Sequence, residues 1–354
     1  MGILDRYIGR SIFTTSLLVL VVLLALAAVF AFIGELDDVG REQYTLSTAL
    51  FYILLRMPGS AYEMFAPAVL LGSLLGLGGL ATHSELIVMR AAGISIPRII
   101  RSVLQVGILL MILVAILGEL IAPRAEQLAQ DLRLNALSKK ISVGSATGLW
   151  LREDDLFINV KTVTPDFSLL DLSVFRFIDN RLDYAMLAKH ASQTPDGKWI
   201  LQDVSYTEFD DQRTQVRFVA EETREQLVRP ELLQNLTVEP ETLSAKNLLQ
   251  QVRYMDRNKL DSDRIQLALW TKLTNPLATI VMLMLSVPFV FASQRSGGSG
   301  QKIFIGIMLG IGYIMINRLS THMGLVYGFP PLVSAVAPLL FFLAIAVIGI
   351  RRTG

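Results

Sequence analysis

The sequence predicts an α-helical membrane protein with six transmembrane helices and an all-β, jelly-roll-like domain inserted between helices three and four. Three observations predict it. Of 354 residues, 52% are hydrophobic and 18% charged, and the mean hydropathy is +0.50, a balance typical of integral membrane chains. Apolar stretches near the length of about 20 residues needed to cross a hydrocarbon core recur at 12–33, 64–82, 99–122, 267–292, 303–320 and 331–350. Between the third and fourth, residues 124–262 contain no such stretch and change to strand-like alternation.

The remaining composition excludes several classes. A net charge of +1 argues against a nucleic-acid partner and against an acidic tail. With no cysteine, thiol catalysis, disulfide frameworks and cysteine-ligated zinc or iron–sulfur centres are ruled out.

Taken in order, the first stretch follows Arg6 and Arg10 and contains Ala25-Leu26-Ala27, a pattern shared with cleaved signal peptides. It is too long for an ordinary signal core and is read as a retained span. "LSTALFYILL" at 46–55 is too short to cross and is followed by "RMPGSAYE". That predicts a surface helix broken at Met57-Pro58-Gly59, with a long kinked second span from Leu46 as the other possibility. Gly72 and Gly76 in the second span, and Gly306 and Gly310 in the fifth, have the small-xxx-small spacing of closely approaching helices. Static packing and a surface that slides or opens both fit.

The middle region reads "LFINVKTV", "LLDLSVFRFID", "GKWILQDVSYTEF" and "TQVRFVAEE", separated by turns at Pro165-Asp166, Asp179-Asn180 and Pro195-Asp196-Gly197. A sandwich or jelly roll is expected. Residues 243–262 form an amphipathic pattern leading back to the membrane. The chain therefore divides into 1–123 with three spans, 124–262 with the β-domain and its connecting helix, and 263–354 with three more.

Basic residues orient the spans. Arg6, Arg10, Arg90, Arg98, Arg101, Arg295, Lys302, Arg351 and Arg352 fall in one set of loops, and only Arg41, Arg56 and Arg318 in the short segments opposite. The positive-inside rule puts both termini in the cytoplasm and the β-domain on the far side.

No catalytic constellation emerges. "GLGGLA" at 76–81 has a dinucleotide-loop spacing but lies inside an apolar span, and "GGSGQK" at 297–302 lacks the Gly-Lys-Ser/Thr order of a phosphate loop. His83, His190 and His322 are scattered over separate regions, so neither a metal site nor a triad is expected. Glu119, Lys272 and Arg318 lie near outer ends of spans, where long side chains reach the interface. They do not form the carboxylate chain of a proton relay.

One short segment has its own grammar. Thr82-His83-Ser84-Glu85 fits a capping box, and Gly93 and then Pro97 supply a stop. The predicted helix of about ten residues is only about 15 Å long and cannot span. It is either an interfacial turn resting on lipid or a docking knob for a cytoplasmic partner.

"LDRYIGR" at 4–10, "SELIVMRAAG" at 84–93, "LGELIAPRAEQLA" at 117–129 and "LVYGFPP" at 325–331 together resemble the LptF/LptG permeases of the lipopolysaccharide-export ABC transporter. The likeness covers the whole chain, and its N-terminal motif is closer to the LptG branch. The resemblance implies a bacterial inner-membrane subunit with a periplasmic β-jelly roll. Its implied partners are the paralogous permease LptF, a homodimeric ATPase LptB, the single-span protein LptC and lipopolysaccharide. ATP and Mg would bind to the ATPase, with no cofactor and no catalysis in this chain.

By the same resemblance, residues 83–93 correspond to a coupling helix contacting the ATPase, with His83, Ser84, Glu85, Leu86, Ile87, Val88, Met89, Arg90, Ala91 and Gly93 as candidates. The first and fifth helices would line a lipid cavity through Phe30, Ile33, Tyr313, Ile316 and Asn317, and Arg41 and Arg133 are the phosphate candidates. Similar proteins can carry lysines near the outer end of the first helix, where this chain has Ala31, Asp37 and Asp38. Two other classes remain open on sequence. A hydrolase would need a convergent nucleophile and base, and a sensing or scaffold module would need no cavity substrate.

Overall fold

The computed structural model describes residues 2–353 apart from 138–148, 154, 164–167, 179–180, 195–197, 211–212, 226, 228–239, 259 and 293–298. The three turns predicted at 165–166, 179–180 and 195–197 lie outside the described residues, as does Arg295. Six helices are long and apolar enough to cross a membrane. The first, third, fourth and fifth pack on the second, and the sixth packs on the fourth and fifth, so the chain is a multi-pass membrane protein with the β-sheet region between its third and fourth spans.

The first span, α1 (Ile3–Glu35), crosses α2 (Leu46–Thr82) backbone to backbone. A Cβ on Gly72 would sit 2.2 Å from Ser16 Cα, and one on Gly76 would sit 2.7 Å from Thr15 Oγ1. The closeness lets Thr15 Oγ1 donate to Gly72 O at 2.7 Å and Ser11 Oγ to Gly76 O at 3.3 Å. Small residues thus replace apolar filling with polar contacts that lipid cannot offer.

The break expected at 57–59 does not occur. The α2 helix runs unbroken for 37 residues with Pro58 and Pro67 inside it, about 55 Å at 1.5 Å per residue. Each proline costs a backbone hydrogen bond. Tertiary packing offsets the loss, because Tyr52 and Ile53 are buried against Ala129 and Leu132. Those two residues belong to α5 (Ala122–Leu137), a continuation of the third span that hydropathy did not reveal. Thr45 caps the start, its hydroxyl accepting from Thr48 N.

The third span combines α4 (Ile96–Ile116), a π-helical turn at Leu117–Ile121 and α5. The β-domain follows as β1 (Leu149–Glu153), β2 (Leu156–Val163), β3 (Leu169–Ile178), β4 (Arg181–Gln193), β5 (Trp199–Asp210) and β6 (Arg213–Arg224). Among the described residues these form one antiparallel sheet in the order β1-β2-β3-β4-β5-β6, and a jelly roll's crossing connection is not among them. Alternation sends Val160, Leu172, Ala188 and Val204 to one face in register, next to Ile158, Val174, Met186 and Tyr206. Asp171 and Asp203 adopt φ of 52° and 53°, the left-handed region in which a strand kinks. The paired register skips both.

A 3₁₀ turn at Pro240–Thr242 leads into α6 (Ala245–Arg257), the predicted amphipathic helix. The last spans are α7 (Asp263–Ala292), α8 (Ser299–Tyr327) and α9 (Pro331–Thr353). On α8, Gly306 and Gly310 face α2, where Leu71, Leu74 and Pro67 meet them.

Candidate functional site

The short helix α3 (Glu85–Ala91) lies where the start of α1 meets the start of α4. It is seven residues long, shorter than the sequence suggested, and the capping box is not formed. Thr82 Oγ1 instead donates to Gly78 O at 2.8 Å, and Ser84 turns the chain with a φ of 61°. Glu85, freed from capping, accepts a hydrogen bond from Tyr7 Oη at 2.7 Å. The stop is as expected: Gly93 has φ +88°, and Ile94 N donates to Met89 O.

Burial separates the faces of α3. Leu86 is wholly buried and belongs to the membrane core cluster, with Met89 packed against it. Ile87 is half exposed and Val88 is 65% exposed, while His83, Ser84, Arg90 and Ala91 lie on the surface and Glu85 is intermediate. Leu86 therefore fixes the helix to the spans while Ile87 and Val88 are presented outward. Below it, Asp5 accepts from Ser102 Oγ and from Gly2 N, and lies 3.7 Å from the Arg98 guanidinium. These bonds tie α1 to α4 directly under α3, and sequence spacing gave no signal for them.

A second feature is the pair of apolar helix faces beside α2. Phe30 and Ile33 on α1 are 66% and 57% exposed, on a stripe that continues through Val22, Leu26 and Val29. On α8, Met308, Ile311 and Met315 are exposed, Ile316 and Asn317 are intermediate, and Tyr313 is buried edge-to-face on Phe342. Both helices pack on α2, with little or no contact between them. The five lining candidates are thus not brought into one cavity of this chain. Tyr313 and Asn317 do line a cleft of about 390 Å³ between α2, α7 and α8, together with Arg264, Lys272, Arg318 and His322.

The phosphate candidates meet at the other end of α1. Arg133 lies 2.8 Å from Asp38 and 3.4 Å from Glu35, with its guanidinium 5.2 Å from the centre of the Tyr52 ring. Arg41 pairs with the other Asp38 oxygen at 2.6 Å and is 61% exposed on its side chain. Tyr44 donates to Glu35 at 2.9 Å. Burial, and then that hydrogen bond to Glu35, push its hydroxyl pKa well up, so it stays a donor. The two cations therefore share an acidic neighbourhood, and Arg133 is the more enclosed. Asp38 lies inside this network rather than beside it. Among the described residues no cluster of His, Asp and Glu is arranged to hold a metal ion.

A long transmembrane bundle with unpartnered apolar faces and a β-sheet inserted between its third and fourth spans fits one known family along its whole length. The sequence profile of the lipopolysaccharide export system permeases LptF/LptG matches residues 6–352. The chain belongs to the LptF/LptG permease family. It is 33% identical over 349 residues to the lipopolysaccharide export system permease protein LptG of Escherichia coli strain K12, covering 98% of this chain and 97% of that protein. It is 31% identical over 344 residues to the protein of that name from Haemophilus influenzae, covering 96% of each. As a permease of this family, the chain is a component of a transport system.

Proposed function

We propose that the permease is the membrane subunit of an ABC transporter that extracts lipopolysaccharide from the outer leaflet of the bacterial inner membrane. It passes the lipid to a periplasmic β-jelly-roll bridge, driven by ATP hydrolysis in a separate subunit. The whole-length family match supports this most directly. In this reading both termini and α3 face the cytoplasm, in keeping with the basic residues at that end. Nucleotide and Mg bind to a partner ATPase, LptB, and the chain itself carries no catalytic residue.

The physics favours a shared cavity. Moving an acyl chain out of the bilayer costs about 0.8 kcal/mol per CH₂ exposed to water, so the route must stay apolar. The outward stripe of α1 and the exposed face of α8 are two walls of such a route, and the paralogous permease LptF supplies the facing two. LptC adds a further single helix. Arg41, exposed and already near Asp38, is the cation best placed to meet a phosphate, and Arg133 steadies the acids behind it.

On the cytoplasmic side, Ile87 and Val88 enter a groove of the ATPase, and Glu85 meets a basic residue there. Closure of the ATPase dimer then moves α3 with α4 as a rigid unit through the Leu86 anchor.

A photo-crosslinking residue at Phe30 and at Met315 tests the substrate. Both positions should yield lipopolysaccharide adducts in living cells, and a control at buried Leu70 should not. No adduct at either exposed position would defeat the assignment of these faces to the lipid route.

A further inference from the structure

A cluster of charged and aromatic side chains lies at the root of α6, beside the cleft that Tyr313 and Asn317 line and away from the docking face. Glu119 projects from the π-helical turn of the third span. Its carboxylate accepts from Ala245 N at 2.8 Å and Lys246 N at 3.4 Å, while Ser244 Oγ accepts from Asn247 N at 3.2 Å. The first three N–H groups of α6 are thus satisfied, two of them by a residue of another element. An anion at a helix N-terminus also meets the positive end of the helix dipole.

The fourth span holds the same root from the other side. Lys272 is 8% exposed and donates to Leu243 O, one residue before the cap. Its ammonium lies 5.5 Å from the centre of the Tyr62 ring, and Tyr62 Oη donates to Lys272 O at 3.1 Å. The same ring rests on Gly118, where a Cβ would come within 2.2 Å of Tyr62 Cε2. Spans two, three and four therefore meet beneath the first turn of α6. The third span is π-helical there, a local irregularity often found at functional positions. The apolar cluster of Leu243, Leu248, Ile265 and Ala268 binds α6 to α7, and Glu119 gives it a charged tie to the third span.

We infer that Glu119 is a positioning residue: it keeps α6, and with it the attachment of the β-domain, in register with the third span, so that movement of that span reaches the β-domain. The source of the movement rests on the proposed docking of α3; the positioning itself does not.

The chain has no cysteine, so paired spin labels can be introduced without background. With labels at Gln250 on α6 and Leu128 on α5, the assembled transporter in lipid nanodiscs is measured nucleotide-free and vanadate-trapped. The wild-type pair should give one narrow distance distribution in both states. Glu119→Ala should lose that narrow distribution and make it nucleotide-dependent, with ATPase activity kept and lipid release reduced. Glu119→Gln, which retains an acceptor oxygen, should recover part of the narrow distribution and serves as the test should the alanine variant not assemble. A narrow distribution unchanged in both variants would overturn the inference. Broadening in Glu119→Ala with no nucleotide effect in any protein would uphold the positioning role and count against the motor-driven reading instead.

Discussion

At the residue scale, two glycines show how differently close contacts respond to change. Gly72 faces the backbone of Ser16, which cannot move aside without shifting α1. Gly72→Ala should cost about 1–3 kcal/mol or more, read as a lowered unfolding midpoint in detergent. Gly59→Ala, with nothing nearer than Glu126 at 3.9 Å, should leave the midpoint unchanged. Arg133→Ala should cost about 1–3 kcal/mol, because Glu35 and Asp38 lose their shared partner. Arg41→Ala, being more exposed, should affect lipid crosslinking more than stability. Equal loss of crosslinking in both variants with no change in melting would contradict that division. The Gly72/Gly76 contact was legible from spacing alone. The contact of Gly118 with Tyr62 was not, because no local pattern announces a partner on another span. Glu119 and Lys272 looked like interfacial anchors for the same reason: their partners, Ala245 and Leu243, are backbone groups of a distant segment.

At the element scale, tertiary packing decided where the sequence left a choice. The segment from Leu46 reads as a short interrupted helix until Tyr52 and Ile53 are seen to bury on α5, a helix too polar for hydropathy to find. The capping box before α3 does not form because Thr82 still belongs to α2 and its hydroxyl is turned to Gly78 O, which leaves Glu85 to accept from Tyr7. The two faces of α3 give a sharp prediction. Leu86→Ala should destabilise the chain by about 2–5 kcal/mol. Val88→Asp should leave melting unchanged and abolish recovery of the ATPase, and retained recovery would remove Val88 from the docking face.

The β-sheet carries its own pH response. Glu222 accepts from Tyr206 Oη at 2.6 Å and pairs with Arg224 at 3.0 Å. Burial alone would raise its carboxyl, but these bonds outweigh burial and hold the pKa below the usual glutamate range, while burial pushes Tyr206 up to about 12. The folded value lies below the unfolded one, so this stabilisation is fully present above the unfolded value of about 4.3. It is lost as pH falls through the folded value. Melts of the whole chain between neutral pH and pH values below that point should therefore decline less steeply for Glu222→Gln than for wild type.

At the scale of the whole molecule, the span count, the β-insertion and the even topology were legible because hydropathy and alternation are averages over many residues. What stayed hidden were the joints: α5, the π-helical turn, and the root of α6, each fixed by contacts between distant segments. The bundle has α2 at its centre, exposed apolar faces on α1 and α8, α3 at one end and the β-sheet at the other. In the proposed function, α3 joins this bundle to an external motor. It is tested most directly by purifying the wild-type chain and Glu85→Arg from native membranes in mild detergent and identifying bound subunits by mass spectrometry. An ATPase and a second permease should be recovered with wild type, and the ATPase alone should be lost with Glu85→Arg. Wild-type chain recovered with its second permease but without any ATPase, under conditions that preserve the complex, would contradict it.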